Sequence, residues 1–256
     1  MRVAVAGGTG LVGQRVVSAL LAAGHHPEIL ARATGVDITT GSGLSAALAD
    51  VQAVIDVSNT TGSRRKDSIA FFEAGTARLL EAGARAGVQP HVILSIVGID
   101  RVDFGYYAGK RRQEELALAS GRPVSILRAT QFHEFAGQLL DRSAGPIAVL
   151  PRMLVQPIAA REVAGGLAEL VTGPPVGMAR ELAGPERHQF TDLVRAVRTA
   201  RGSKKLLVTL RVPGAAGKAM AGGALLPTGD GPRGSQTFEE WLAATSSSPA
   251  ESSDPR

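Results

Sequence analysis

The chain contains no cysteine, which excludes disulfides, thiolate catalysis and cysteine-ligated zinc. Aromatic residues make up only 4%, with two tyrosines and one tryptophan, and no nucleic-acid reading motif is present. Nor does one sign of charge dominate: 28 basic and 23 acidic residues leave a formal net charge of +5. The basic clusters at 64–66, 110–112 and 204–205 are short and scattered and read as solvated surface. No apolar run approaches the roughly 18 residues that a membrane span requires. "MRVAVAGGTG" reaches glycines before a signal-peptide core could form. His25 and His26 have no carboxylate at ligand spacing, so no metal site is expected. The expectation is a cytoplasmic protein that takes a small-molecule substrate, binds neither nucleic acid nor membrane, and exists as a monomer or homodimer.

What is present is a 44% apolar chain of 256 residues, long enough to bury a substantial core. Its first half alternates strand-like and helix-like segments. Apolar strands are expected at 2–7, 27–32, 51–59, 91–98 and 123–130. Helices are expected at 11–24, 43–50, 67–88 and 109–121, with Asp67 as an N-cap and Gly24 and Gly87 as stops. Near-continuous apolar strands between helices imply a parallel sheet covered on both faces. The fold class is α/β: a Rossmann-like, doubly wound parallel sheet with a small C-terminal substrate lobe. The cofactor domain is placed at 1–135, the lobe at 136–243 and a disordered tail at 244–256. Within the lobe, a short strand and a helix are expected at 152–173. A strand and a helix N-capped by Thr191 follow at 181–202, then a strand at 204–213.

"VAVAGGTGLVGQ" sets Gly7, Gly8, Gly10 and Gly13 between the first strand and the first helix. The chain there must turn tightly, let its backbone approach a pyrophosphate, and offer helical N–H groups to that anion. Thr9 lies in this loop, and Leu11 and Val12 open the helix behind it. A side chain at Gly10 would block the approach; one at Gly13 would push the helix off the strand. An NAD-preferring site carries Asp or Glu at the end of the second strand. Here that end is Leu30-Ala31-Arg32, and an arginine fork suits a 2′-phosphate. NADP(H) is therefore expected over NAD(H).

Three polar residues then align. Ser95 stands near the carboxyl end of a central strand, the edge that faces the ligand crevice in open parallel sheets. Tyr106 follows in the loop to the next helix, and Lys110 is one turn later. A neighbouring ammonium would lower the tyrosine pKa from near 10 and could hold cofactor ribose hydroxyls. The serine would orient a substrate carbonyl. Tyr107, three residues from Lys110, competes with Tyr106 for the role.

The pieces "GGTGLVGQ", "LAR", "LSIVGID", "YYAGK" and "ILRATQFHEF" resemble the atypical short-chain dehydrogenase/reductases, specifically the NmrA-like, NAD(P)H-binding subgroup. "VQPIAAREVAGGLAELV" is similar to the segment that returns to the site in that family. The resemblance implies a catalytic set of Ser95, Tyr106 and Lys110, with Lys110 also on the cofactor. It implies cofactor contacts from the glycine loop and Arg32, from Asp37 and Ile38 at the adenine, and from Val57, Ser58 and Asn59 at a strand end. Ala129, Thr130 and Phe132 would lie near the nicotinamide. The implied activity is hydride transfer with a small carbonyl, alcohol or quinone. Because some NmrA-like proteins lack the tyrosine and bind NADP without turnover, a non-catalytic NAD(P) sensor stays open, as does a sugar-nucleotide epimerase. His133 and Glu134 are read as structural, Phe71 and Phe72 as core, and Trp241 as the anchor of the last helix.

Overall fold

The computed structural model describes residues 1–62 and 64–247. The first half runs β1 (Arg2–Ala6), α1 (Leu11–Ala22), β2 (His26–Leu30), α2 (Leu44–Ala47), β3 (Ala53–Asp56), α3 (Arg65–Ala86), β4 (His91–Ile96), α4 (Gly105–Ala119) and β5 (Val124–Ala129). The second half runs α5 (Phe135–Arg142), β6 (Ile147–Pro151), β7 (Leu154–Val155), α6 (Ala160–Thr172), β8 (Gly177–Met178) and β9 (His188–Gln189). It finishes with α7 (Phe190–Ala200), β10 (Leu206–Leu210), α8 (Gly214–Ala221) and α9 (Phe238–Ser247). No helix among the described residues is long and apolar enough to cross a membrane.

Six strands form one sheet in the order β2-β1-β3-β4-β5-β8, and every pairing is parallel. Alternate side chains of each strand leave opposite faces. Val3, Val5, Ile55, Val92, Leu94 and Leu127 pack under α1 and α6. Ala4, Leu30 and Val54 meet α2 and α3 on the other face, where Ile93 and Ile126 meet Leu80 of α3 and Ala117 of α4. Burial on both faces is why these strands read as unbroken apolar runs. Since β1 lies between β2 and β3, the chain order reverses there. That puts the ligand crevice at the carboxyl ends of β1 and β3.

The sheet also takes in elements past residue 135. Helix α6 covers the sheet beside α1, and β8 pairs with β5 to extend it. What remains is a lobe of α5, α7, α8 and α9 with two small sheets, β6 with β10 in parallel and β7 with β9 antiparallel. Its core contains Leu150, Met153, Phe190, Val194 and Phe238, with Tyr107 and Trp241 packed against it.

Three helix ends differ from expectation. Helix α3 starts at Arg65, so Asp67 sits inside its first turn, where a carboxylate favours the positive end of the helix. Helix α7 starts at Phe190, so Thr191 is within it rather than capping it. Helix α9 continues through Ser247, inside the tail expected from residue 244, and residues 248–256 lie outside those described.

Candidate functional site

The glycine loop occupies the crevice. Gly7 has φ +80°, and a Cβ there would lie 2.9 Å from the Ser58 Cα and the Val57 carbonyl oxygen. A Cβ at Gly13 would collide with the Gly7 carbonyl oxygen. These two glycines therefore serve close packing of loop, β3 end and α1. Gly10 differs, since it forms the N-cap of α1, which has no side-chain cap. The first N–H groups of a helix have no intrahelical partner, so Leu11, Val12 and Gly13 offer donors at an uncovered, positive helix end. An uncapped helix end at the switch point fits a dinucleotide pyrophosphate, with Gly7 to Gly13 as its holders. Thr9 lends its carbonyl to the Gln14 side chain at 3.1 Å.

Arg32 is exposed and opens a single 3-10 turn just after β2. Asp37 spends its carboxylate on Thr39, accepting from the backbone N–H at 2.8 Å and the hydroxyl at 2.7 Å. Those bonds hold its pKa below the usual range. Ile38 is buried in the core beside Gly75. The carboxylate of Asp37 is thus turned onto Thr39 and the side chain of Ile38 inward.

At the end of β3 the side chain of Val57 is core, while Ser58 is buried and donates its N–H to Asp56 Oδ1 at 2.9 Å. Asn59 then reaches Tyr106, whose hydroxyl donates to Asn59 Oδ1 at 2.7 Å. Ser58, against Gly7, and Asn59, bonded to Tyr106, link this phenol to the glycine loop. Tyr107 turns the other way. Its ring packs edge-on to Phe104, at 5.5 Å between centroids, and against the lobe core.

The expected pairing of Tyr106 with Lys110 takes another form. Lys110 is only 4% exposed. Its Nζ donates to the Leu94 carbonyl at 2.8 Å and to Gln113 Oε1 at 2.7 Å, and lies 4.5 Å from the Phe72 ring centroid. Burial lowers its pKa to about 8 despite the charges of Asp56 and Glu114. Burial also raises the Tyr106 pKa, with a smaller push from Tyr107, and raises Tyr107 to about 12. Ser95, in β4, faces the α4 side, is 2% exposed, and its hydroxyl has no hydrogen-bond partner among the described residues.

A polar network under α4 had not been anticipated. Asp56 accepts from Gln113 Nε2 at 2.9 Å, and Gln113 also receives Lys110. Glu114 is held by Arg128 of β5. The available signals were an acid closing the apolar strand "AVID" and polar residues three and four positions past Lys110. Gly109 belongs to the same packing, because a Cβ there would lie 2.6 Å from the Ser68 carbonyl oxygen of α3.

Past β5, Ala129 is core, Thr130 Oγ1 accepts the Gly184 N–H at 3.3 Å, and Phe132 packs against the α1–α6 side. His133 lies against Phe238 and Trp241, fastening α9.

Residues 3–97 match the model of the NAD dependent epimerase/dehydratase family. No curated protein sequence matches the chain. Among solved structures, Citrobacter sp. triphenylmethane reductase complexed with NADP(H) is similar, with a TM-score of 0.70 and 17% identity over 96% of this chain and 100% of that one. A short-chain dehydrogenase/reductase superfamily protein from Agrobacterium tumefaciens with bound NAD gives a TM-score of 0.69 and 20% identity over 96% of each. UDP-glucose 4-epimerase from Thermus thermophilus, complexed with NAD, gives a TM-score of 0.65 and 20% identity over 96% of this chain and 93% of that one. The chain thus shares the Rossmann-like α/β fold of these proteins, and its N-terminal part matches the NAD dependent epimerase/dehydratase family model.

Proposed function

We propose that the protein is an NmrA-like, NADP(H)-dependent oxidoreductase acting on a small organic carbonyl, alcohol or quinone. The observation that carries this reading is the contact of Tyr106 with Asn59 at 2.7 Å, beside the glycine cradle. When bound, the dinucleotide supplies or accepts the hydride. In reduction, Tyr106 gives its phenolic proton to the carbonyl oxygen while the carbon gains the hydride, and the phenolate regains a proton from water. The reverse direction runs these steps backwards. Ser95, whose hydroxyl is otherwise unsatisfied, orients the carbonyl. Arg32 takes the 2′-phosphate. Lys110 serves by fixing α4 to β4; to clamp a ribose or tune the phenol, its ammonium must first leave Leu94 and Gln113.

That last observation favours a second reading, an NAD(P)-sensing regulator without turnover. The family match over residues 3–97 supports a third, a sugar-nucleotide epimerase.

The test is NADPH oxidation against a carbonyl and quinone panel, with calorimetry of cofactor binding. Tyr106→Phe should lose at least about 100-fold in turnover with cofactor affinity unchanged. Equal activity would sink the mechanism. Binding of both NADP forms with no turnover would favour the sensor, and binding of a uridine or thymidine diphosphate sugar the epimerase.

A further inference from the structure

We propose that Asn59 is the positioning residue of the Tyr106 phenol: the strand-end amide, rather than the lysine one turn along α4, fixes where the hydroxyl proton lies. The proposal rests on the reading of Tyr106 as the proton donor.

The phenol is held from several sides. Its hydroxyl donates to Asn59 Oδ1 at 2.7 Å. That oxygen also accepts the Thr60 N–H at 2.8 Å, which fixes the amide rotamer. The Tyr106 ring meets the buried Phe72 ring edge-on at 5.8 Å, and Ser68 Oγ donates to the Tyr106 carbonyl at 3.1 Å. Lys110 is committed elsewhere, to Leu94, Gln113 and the Phe72 face. The titratable group acting on the phenol is Tyr107.

An amide oxygen suits this task. It accepts a hydrogen bond but is too weak a base to take the proton, so the phenol stays protonated and aimed at the carboxyl end of β3. A substrate carbonyl oxygen that replaces Oδ1 as acceptor then meets an aligned donor beside the cofactor cradle. The phenol oxygen keeps lone pairs free for an alcohol in the reverse direction.

The chain has only two tyrosines, which makes a direct readout available. Protein labelled with 3-fluorotyrosine gives two fluorine resonances, assigned with Tyr107→Phe, and each reports its own ionisation. A phenol that donates a hydrogen bond is favoured in its neutral form. Asn59→Ala should therefore lower the Tyr106 ionisation midpoint by about half a unit to one unit. Asn59→Asp, which keeps an acceptor and adds a negative charge, should raise it. The Tyr107 midpoint should not move in either variant. At saturating cofactor, Asn59→Ala should lower kcat about tenfold. A Tyr106 midpoint that moves in neither variant overturns the proposal, as does a larger shift in Lys110→Met than in Asn59→Ala. These spectra need no turnover. If the wild-type protein proves inactive, the oxidoreductase reading fails while the positioning of Tyr106 by Asn59 is still decided.

Discussion

Glu114 and Arg128 tie α4 to β5 through two parallel bonds, Nε to Oε1 at 2.8 Å and Nη2 to Oε2 at 2.6 Å. The side chains are 7% and 16% exposed, and Asp100 meets the same guanidinium at 3.4 Å. This pair sets the position of the helix that carries Tyr106 and Lys110. Glu114→Ala removes the bidentate partner and leaves Arg128 with Asp100 alone, so it should destabilise the fold by about 1–3 kcal/mol. Breaking the exposed Glu81–Arg85 pair on α3 should cost about 0.3–0.5 kcal/mol. Urea titrations of the two variants would compare them directly, and equal losses would refute the claim that the α4–β5 pair is structural.

Lys110 and the two tyrosines predict an unusual dependence of stability on pH. Lysine normally titrates at 10.5, and in the fold Lys110 does so at about 8. Between those values the unfolded chain binds more protons, so stability rises with pH across that window. Both tyrosines have folded pKa values raised above 10. Their contribution is complete below pH 10 and is lost as pH climbs beyond it. The combined contribution of these three groups therefore peaks near pH 10. Lys110→Met should abolish the rise and leave the fall, as read from melting temperatures measured over the alkaline range.

Gly13→Ala should open the loop from α1, because its Cβ has no space beside the Gly7 carbonyl. The expected cost is about 1–3 kcal/mol of stability, with a corresponding loss of NADPH affinity in calorimetry. Unchanged affinity would mean that the loop does not cradle the cofactor.

Arg32→Ala tests cofactor choice. A charged, forked contact to a 2′-phosphate contributes about 1.5–3 kcal/mol, so NADPH should bind roughly tenfold to a hundredfold more weakly while NADH changes little. A wild-type protein that prefers NADH, unaltered by this substitution, would assign Arg32 to the surface.

The order of elements through β5 and the glycine loop were legible because each carries a local signature: apolar runs, helical periodicity, and glycines where a Cβ would collide. The return of α6 and β8 was not. A two-residue strand such as Gly177–Met178 is too short to show periodicity, and its partner β5 lies about fifty residues earlier. Within the site, the residue types at Ser95, Tyr106 and Lys110 stood out, but their directions did not. Sequence spacing puts Tyr106 and Lys110 on one helix face, and nothing local reveals that Leu94, Gln113 and Phe72 draw the ammonium inward. The partnership of Asn59 with Tyr106 joins residues 47 apart, a separation that only the sheet topology closes.

The late arrival of α6 also constrains how the molecule is made. Val92, Leu94 and Leu127 stay bare on one side of the sheet until residues 160–172 cover them. That side of the sheet is completed only by a helix encoded about thirty residues past β5. The first half of the chain is therefore not a module that can be cut after β5 and transplanted, because part of its wall is encoded downstream.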